Sequence, residues 1–378
     1  MRIVFLGTPE FAVPVLEMLA HGASMPVAVI SQPDRPRDRG RQTTPTPVKL
    51  CAEALGIPVL APQRLRDEPA LLAELKPDLM ITAAYGQILT QEILDIPPLG
   101  VWNVHASLLP RYRGAAPVQW AVIRGEAQTG VTIMQTARGV DTGDIVSQAV
   151  LDIGPHETAG ELMARLSQLG AELLARTLCR LPAIEKTPQN HEQATHAPQL
   201  QKQDGCLDFS QTCREVYNRF RGVSPKPGAF FMVKGQSYRV LAAQPCEGRD
   251  AGVAQRASVE QGATEVQRAS AEQDASVAQR ANAEQGASMT QRASVEQNAN
   301  EAQYVCAEQH ARGVQIARET QHACGKILCA DPARGLEIAC RDGALRVTQL
   351  QAPGKKAMDA KAFFLGNTLC GDRVDVKI

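Results

Sequence analysis

Asn103 and His105 stand two residues apart in Val101-Trp102-Asn103-Val104-His105, and Asp141 follows in the loop Gly139-Val140-Asp141-Thr142-Gly143-Asp144. An Asn amide can donate to a developing oxyanion, an imidazole can carry a proton at neutral pH, and a carboxylate can orient or charge that imidazole. The three together suit acyl transfer to an amine by direct attack, with no covalent enzyme intermediate. If the segment is a strand, alternation puts Asn103 and His105 on one side and Val104 on the other. The lone-histidine reading, a satisfied core residue, is outweighed by the same-face Asn, the Ser-Leu-Leu-Pro turn at 107–110 and the Asp loop. Ser107 lies in that turn, where its hydroxyl is expected to bond backbone, and Asp141 also suits an Asx-type turn.

Competing chemistries lack their residues. After the first apolar run comes Gly7-Thr8-Pro9-Glu10, not G-x-G-x-x-G. Pro9 has no amide to offer a pyrophosphate and Thr8 adds bulk, which disfavours a dinucleotide. No G-x-x-x-x-G-K-[ST] loop and no G-x-S-x-G elbow occurs. Ten cysteines include no C-x-x-C, and no Cys/His cluster has zinc spacing, so no metal is expected. Scattered thiols fit a reducing cytoplasm.

These side chains need a frame, and the first half of the chain supplies its pattern. Apolar runs at 2–7, 27–31, 59–60, 79–86 and 101–105 alternate with amphipathic segments. That rhythm predicts a doubly wound α/β domain with a parallel sheet. Residues 130–152 predict a hairpin at one sheet edge. A helix from about Thr158 to Leu181 presents Leu162, Leu166, Leu169, Leu173 and Leu174 on one face. The polar stretch 189–203 reads as a linker. Beyond it, a helix-like segment and several short strands with Gly turns predict a small OB-like β-barrel.

Residues 248–325 interrupt that barrel with a twelve-residue repeat. Gln255, Gln267, Gln279, Gln291 and Gln303 recur in step, as do Glu260, Glu272, Glu284, Glu296 and Glu308. Twelve residues at about 100° each leave successive copies about 120° out of phase, so no stripe forms on a helix. The expectation is a disordered or fraying insert at a surface loop. The domains are therefore 1–188, a linker 189–203, and 204–378 interrupted by 248–325. The chain is neutral overall, yet 204–247 with 326–378 carries 15 basic and 10 acidic side chains, a net +5 that would suit a polyanion. No apolar run approaches the roughly 18–20 residues of a membrane span. The first strand begins at Arg2, leaving no room for a targeting segment, so a cytoplasmic monomer is expected.

The segments FLGTPEFAVPVL, SQPDRPRDRGRQTTPTPVK, AAYGQIL, NVHASLLPRYRGAAPVQWAVIRGEAQTGVTIMQ, GVDTGDIV and QAPGKKAM together resemble the methionyl-tRNA formyltransferases. The resemblance runs along the chain apart from 248–325. NVHxSLLP and DTGD are shared with other 10-formyltetrahydrofolate-dependent formyltransferases. It implies a Rossmann-like parallel-sheet formyltransferase domain followed by an OB-like domain that binds tRNA. It also implies formyl transfer from 10-formyltetrahydrofolate to the α-amine of methionyl initiator tRNA, for translation initiation.

By the same resemblance Asn103, His105 and Asp141 are the catalytic set. Ser107, Leu108, Leu109 and Pro110 contact the folate, and Tyr85, Gly86, Gln87, Ile88 and Leu89 form a backbone wall for the pterin. The loop 32–49 would contact the tRNA acceptor end through Arg39, with Arg35, Arg37, Arg41 and Lys49 adding charge. This loop departs from the commonest family pattern, since Arg37-Asp38 precede and Arg41-Gln42 follow the Arg39-Gly40 pair. Lys355 and Lys356, with Arg346, Lys361 and Arg373, would give the barrel a basic face for the tRNA body. Two other readings stay open on the residues alone. A related enzyme could use the same donor on a sugar amine or glycinamide ribotide. Alternatively, the chain could bind nucleic acid with an inert catalytic domain.

Overall fold

The computed structural model describes residues 1–22, 24–37, 42–181, 183–246, 324–331, 335–364, 369 and 372–375. It forms two compact units, Met1–Gly205 with Asn218–Ala229, and Cys206–Tyr217 with Phe230–Ile378. The repeat predicted for 248–325 lies outside the described residues except for its last two. Cys324 and Gly325 belong to the second unit, where Gly325 N–H donates to Ala339 O at 2.8 Å.

The first unit begins with β1 (Ile3–Gly7), α1 (Val13–His21) and β2 (Ala28–Ile30). There follow β3 (Arg35–Arg37), β4 (Gln42–Thr44), α2 (Pro47–Ala54), β5 (Val59–Leu60), α3 (Pro69–Glu74) and β6 (Leu79–Ala83). Then come α4 (Gln91–Leu94), β7 (Val101–His105), α5 (Pro117–Ile123), β8 (Gln128–Gln135), β9 (Ile145–Asp152) and α6 (Ala159–Leu178). Seven strands make one sheet in the order β5-β2-β1-β6-β7-β8-β9. The pairs from β5 to β7 are parallel, whereas β7–β8 and β8–β9 are antiparallel. Strands β1, β2 and β6 are buried along their whole length, as strands covered on both faces must be.

The predicted helix is present, and Thr158 caps it in a mutual exchange with Glu161. Its packing on β7 depends on Gly170. A Cβ there would lie 2.9 Å from Val104 Cγ1. Val104 therefore points toward α6, which leaves Asn103 and His105 on the opposite side, as strand alternation predicts. Ser167 Oγ adds a bond to Phe11 O at 2.6 Å. We expect Gly170→Ala to cost about 1–3 kcal/mol by overpacking against a stiff β-branched neighbour. Denaturant titration would measure it; an unchanged midpoint would show that the helix can shift freely.

Two local outcomes differ from the sequence reading. Within 32–49, β3 and β4 pair as an antiparallel hairpin in the register Arg35↔Thr44, Pro36↔Thr43 and Arg37↔Gln42. The β-branched Thr43 and Thr44 suit such a ladder, a signal masked by the prolines and charges around them. The apolar run 79–86 leaves the sheet at Ala83. Ala84 and Gly86 adopt φ values of 45° and 85°, turning the chain out of the strand.

The second unit contains the first part of α7 (Cys213–Gly222), then β10 (Ala229–Val233), β11 (Gln236–Cys246), β12 (Ile327–Asp331) and β13 (Gly335–Ala339). It ends with β14 (Ala344–Gln351), β15 (Met358–Asp359) and α8 (Ala360–Phe364). These strands form an antiparallel half-barrel in the order β10-β11-β14-β13-β12, with β15 on β14. Register shifts at Val240–Ala242 and Ala242–Ala243 interrupt the long β11 ladder, and such bulges bend and twist a strand. Its interior is aromatic. Phe231 stacks on Tyr238 with centroids 5.5 Å apart, and Phe209 and Phe363 meet that pair edge-on.

Candidate active site

Strand β7 lies where the sheet changes from parallel to antiparallel pairing, with β6 on one side and β8 on the other. His105, at its carboxyl end, is 6% exposed. Its Nε2 lies 3.0 Å from Tyr112 O. A carbonyl can only accept, so this bond places a proton on Nε2. The other nitrogen, Nδ1, lies 3.6 Å from Asp141 Oδ2, an ion-pair distance when the ring is protonated. Nδ1 is thus the atom at which a proton can be gained or lost.

Asp141 is itself held. Its φ of 51° is in the left-handed region, and its Oδ2 accepts the Gly114 N–H at 2.8 Å. Gly143 in the same loop admits no side chain, because a Cβ would fall 1.7 Å from Gln135 O.

Asn103 stands opposite Thr82 in the parallel β6–β7 register. The Thr82 hydroxyl donates to Asn103 Oδ1 at 2.8 Å. With Oδ1 engaged, the amide presents Nδ2 as its remaining donor. The sequence signal for Thr82 was one polar residue in the apolar run Leu79-Met80-Ile81-Thr82-Ala83, but its partner is visible only across the sheet. We expect Thr82→Val to lower kcat up to about tenfold, the equivalent of about 1.4 kcal/mol, with Thr82→Ser close to the parent. A loss in Thr82→Ser with Thr82→Val close to the parent would mean that the methyl packing, not the hydroxyl, matters.

The Ser107–Pro110 turn is braced from behind. Ser107 is fully buried and donates to Arg111 O at 2.7 Å, so its hydroxyl closes the turn. Thr132 donates to Ser107 O at 2.7 Å and accepts from Leu109 N at 3.1 Å. Gln148 Nε2 reaches Leu109 O at 2.9 Å. Leu109 is buried, while Leu108 and Pro110 are partly open.

The 85–89 segment is tied down through Tyr85 O, which accepts from Thr8 Oγ1 and from Gln32 Nε2, each at 2.9 Å. Gln87 Oε1 accepts from Leu65 N at 2.9 Å. The Tyr85 ring is buried among Leu65, Leu72 and Ile93, and burial pushes its phenol pKa up. It can therefore offer a ligand only main chain. Ile88 is 77% exposed, an apolar side chain left open on the same segment. Anchored main chain beside open apolar surface fits a flat heteroaromatic ligand. Thr8, read from the sequence only as an obstacle to dinucleotides, is part of this bracing.

The predicted basic residues fare differently. Arg35, Lys355 and Lys356 are exposed. Lys49 pairs with Asp34 at 2.7 Å, a hydrogen bond that raises its pKa. Arg346 is likewise engaged, bonding Glu337 Oε1 at 2.7 and 3.0 Å. Arg39 and Arg41 lie outside the described residues, as does the side chain of Arg37. Among the described residues no group of His, Cys, Asp and Glu could hold a metal ion, and no helix is long and apolar enough to cross a membrane.

The sheet thus carries an amide donor and an imidazole on β7, and the loop between β8 and β9 brings a carboxylate to face the imidazole. Residues 1–178 match the formyl transferase family, and residues 199–299 and 292–368 match its C-terminal domain. The chain belongs to the methionyl-tRNA formyltransferase family. It is 50% identical over 244 residues to the enzyme of Acetivibrio thermocellus, covering 64% of this chain and 78% of that protein. The enzyme of Syntrophus aciditrophicus is 47% identical over 249 residues, 65% of this chain and 80% of that protein. Solved structures share the fold at lower identity. One is WlaRD, a sugar 3N-formyl transferase crystallised with dTDP and 5-N-formyl-THF (TM-score 0.53, 17% identity, 66% of this chain and 87% of that one). Another is HypX from Aquifex aeolicus in complex with tetrahydrofolic acid (TM-score 0.54, 15% identity, 97% of this chain and 48% of that one).

Proposed function

We propose that this chain transfers the formyl group of 10-formyltetrahydrofolate to the α-amino group of methionyl initiator tRNA, working as a cytoplasmic monomer. The observation that carries the chemistry is that Asn103 and His105 share one side of β7 while Asp141 Oδ2 lies 3.6 Å from His105 Nδ1, the ring nitrogen not bonded to Tyr112 O. Attack of the amine on the formyl carbon forms a C–N bond and places negative charge on the formyl oxygen. Asn103 Nδ2 and a protonated Nδ1 of His105 supply donors for that oxyanion. Asp141 faces Nδ1 and offers an acceptor for the amine proton, directly or through water. On collapse the folate N10 leaves and takes up a proton, so the step balances without oxidant or metal.

In this reading residues 107–110 and 85–89 hold the folate. The 32–49 segment and the basic side of the C-terminal domain take the tRNA. The division into 1–188, 189–203 and 204–378 is a division of labour between catalysis, connection and tRNA binding. The test is incubation of purified protein with 10-formyltetrahydrofolate and methionyl-tRNA, scoring blocked α-amine. Formylated methionyl-tRNA is the expected product. Formylation of free amino sugars or glycinamide ribotide, with methionyl-tRNA untouched, would replace this reading by the related small-amine enzyme.

A further inference from the structure

Gln189 opens the polar stretch that reads as a linker, yet it is only 5% exposed. Thr187, two residues earlier, exchanges both backbone bonds with Ile145 at 2.8 Å, which brings the chain alongside the start of β9. From there the Gln189 amide is engaged at every edge. Its Nε2 donates to Asp141 O at 2.9 Å and to Gly143 O at 2.6 Å. Its Oε1 accepts from Arg113 Nε at 3.1 Å and from Arg113 Nη2 at 2.6 Å. Arg113 is 6% exposed, and its Nη2 also reaches His191 Nδ1 at 3.1 Å.

The two ends of this bridge are the two supports of the catalytic pair. Tyr112 O, just before Arg113, receives the His105 Nε2 bond; Gly114 N–H, just after it, donates to Asp141 Oδ2. Across the bridge, Asp141 sits at a φ of 51°, a left-handed conformation that Asp tolerates better than most L-residues. One amide therefore fixes the loop bearing the carboxylate relative to the segment that orients the imidazole. We propose that Gln189 is a positioning residue for the reaction. It acts through Asp141, by holding the 141–143 main chain so that the carboxylate faces His105 Nδ1. The inference concerns the acyl-transfer site of the proposed function and rests on that reading for its kinetic arm only.

Gln189→Glu is the discriminating variant. A carboxylate still accepts from Arg113 and gives that buried cation a counter-charge, which offsets the two donated bonds the variant loses. It removes both N–H donors and sets an anion against the Asp141 and Gly143 carbonyls. Q189E should lower kcat by about tenfold to a hundredfold, as misplacement of a reacting group does, with KM for both substrates within about twofold. Its melting temperature should stay within about 2 °C of the parent, the shift that corresponds to less than about 1 kcal/mol. In an Asp141→Ala background Q189E should add less than about a twofold further loss, because residues acting as a unit are not additive. Independently of any substrate, the ring 15N signals of His105 should move in Q189E. Parent-like kcat and His105 signals, or a kcat loss that multiplies with that of D141A, would reduce Gln189 to a partner for Arg113 and overturn the proposal. Absence of formyl-methionyl-tRNA with the parent enzyme would overturn the proposed function instead, and the His105 signals would still decide the positioning role.

Discussion

His105→Ala is expected to lower kcat by about 10² to 10⁴, with KM for either substrate changed little. The size follows from what the ring does at Nδ1. Nε2 is committed to Tyr112 O at 3.0 Å, so a single nitrogen serves both as oxyanion donor when protonated and as partner of Asp141 at 3.6 Å. Removing it takes away both roles at once, while Asn103 remains. Asn103→Ala, which removes one oxyanion donor, should cost about 10² to 10³ in kcat. Single-turnover formylation at saturating methionyl-tRNA measures both. The His105 variant also leaves Tyr112 O with only the long Ser107 Oγ contact at 3.5 Å, so a stability loss of about 1–3 kcal/mol accompanies it. Rates must therefore be normalised to folded protein by circular dichroism. A rise in KM with kcat intact would show that these side chains bind substrate without stabilising the transition state.

Affinity for tRNA should fall about a thousandfold between 50 and 200 mM salt, the response of about six neutralised phosphates. The cations that would make those contacts are Arg35, Arg37, Arg39, Arg41, Lys355 and Lys356. Lys49, read from the sequence as a further one, is held by Asp34 at 2.7 Å and already has its counter-charge. The internal pair yields a sharp contrast. Lys355→Ala should reduce the slope of log K against log salt by about one, whereas Lys49→Ala should leave it nearly unchanged. Filter binding of uncharged tRNA across a salt series measures both. A flat salt response would remove the phosphate-contact reading of the basic residues altogether.

The fate of Lys49 shows where reading a sequence stops. Charge can be counted along a chain, but whether a charge is spare depends on a neighbour that only folding brings near; Asp34 is 15 residues away. Strand β7 is the opposite case. Its five residues announce their burial, and a two-residue period forces Asn103 and His105 to one side and Val104 to the other. The close approach of Gly170 to Val104 bears out that alternation. Apolar alternation likewise marked the edge hairpin of β8 and β9, and the leucine spacing from Leu162 to Leu174 marked α6.

The chain by itself thus determined the α/β frame and the β domain that follows it, and it picked out Asn103, His105 and Asp141 as candidates, because residue type and local period are properties of short segments. Tertiary structure alone decided how that trio is armed. Thr82 turns the Asn103 amide from the neighbouring strand, Tyr112 O dictates which imidazole nitrogen is free, and Gln189 reaches back 48 residues to hold Asp141. Each is a directional bond between groups distant in the chain, and hydrogen-bond geometry has no signature in spacing or hydropathy. Gln189 reads as connector because polar composition is what solvent-exposed chain and a buried, fully bonded amide have in common.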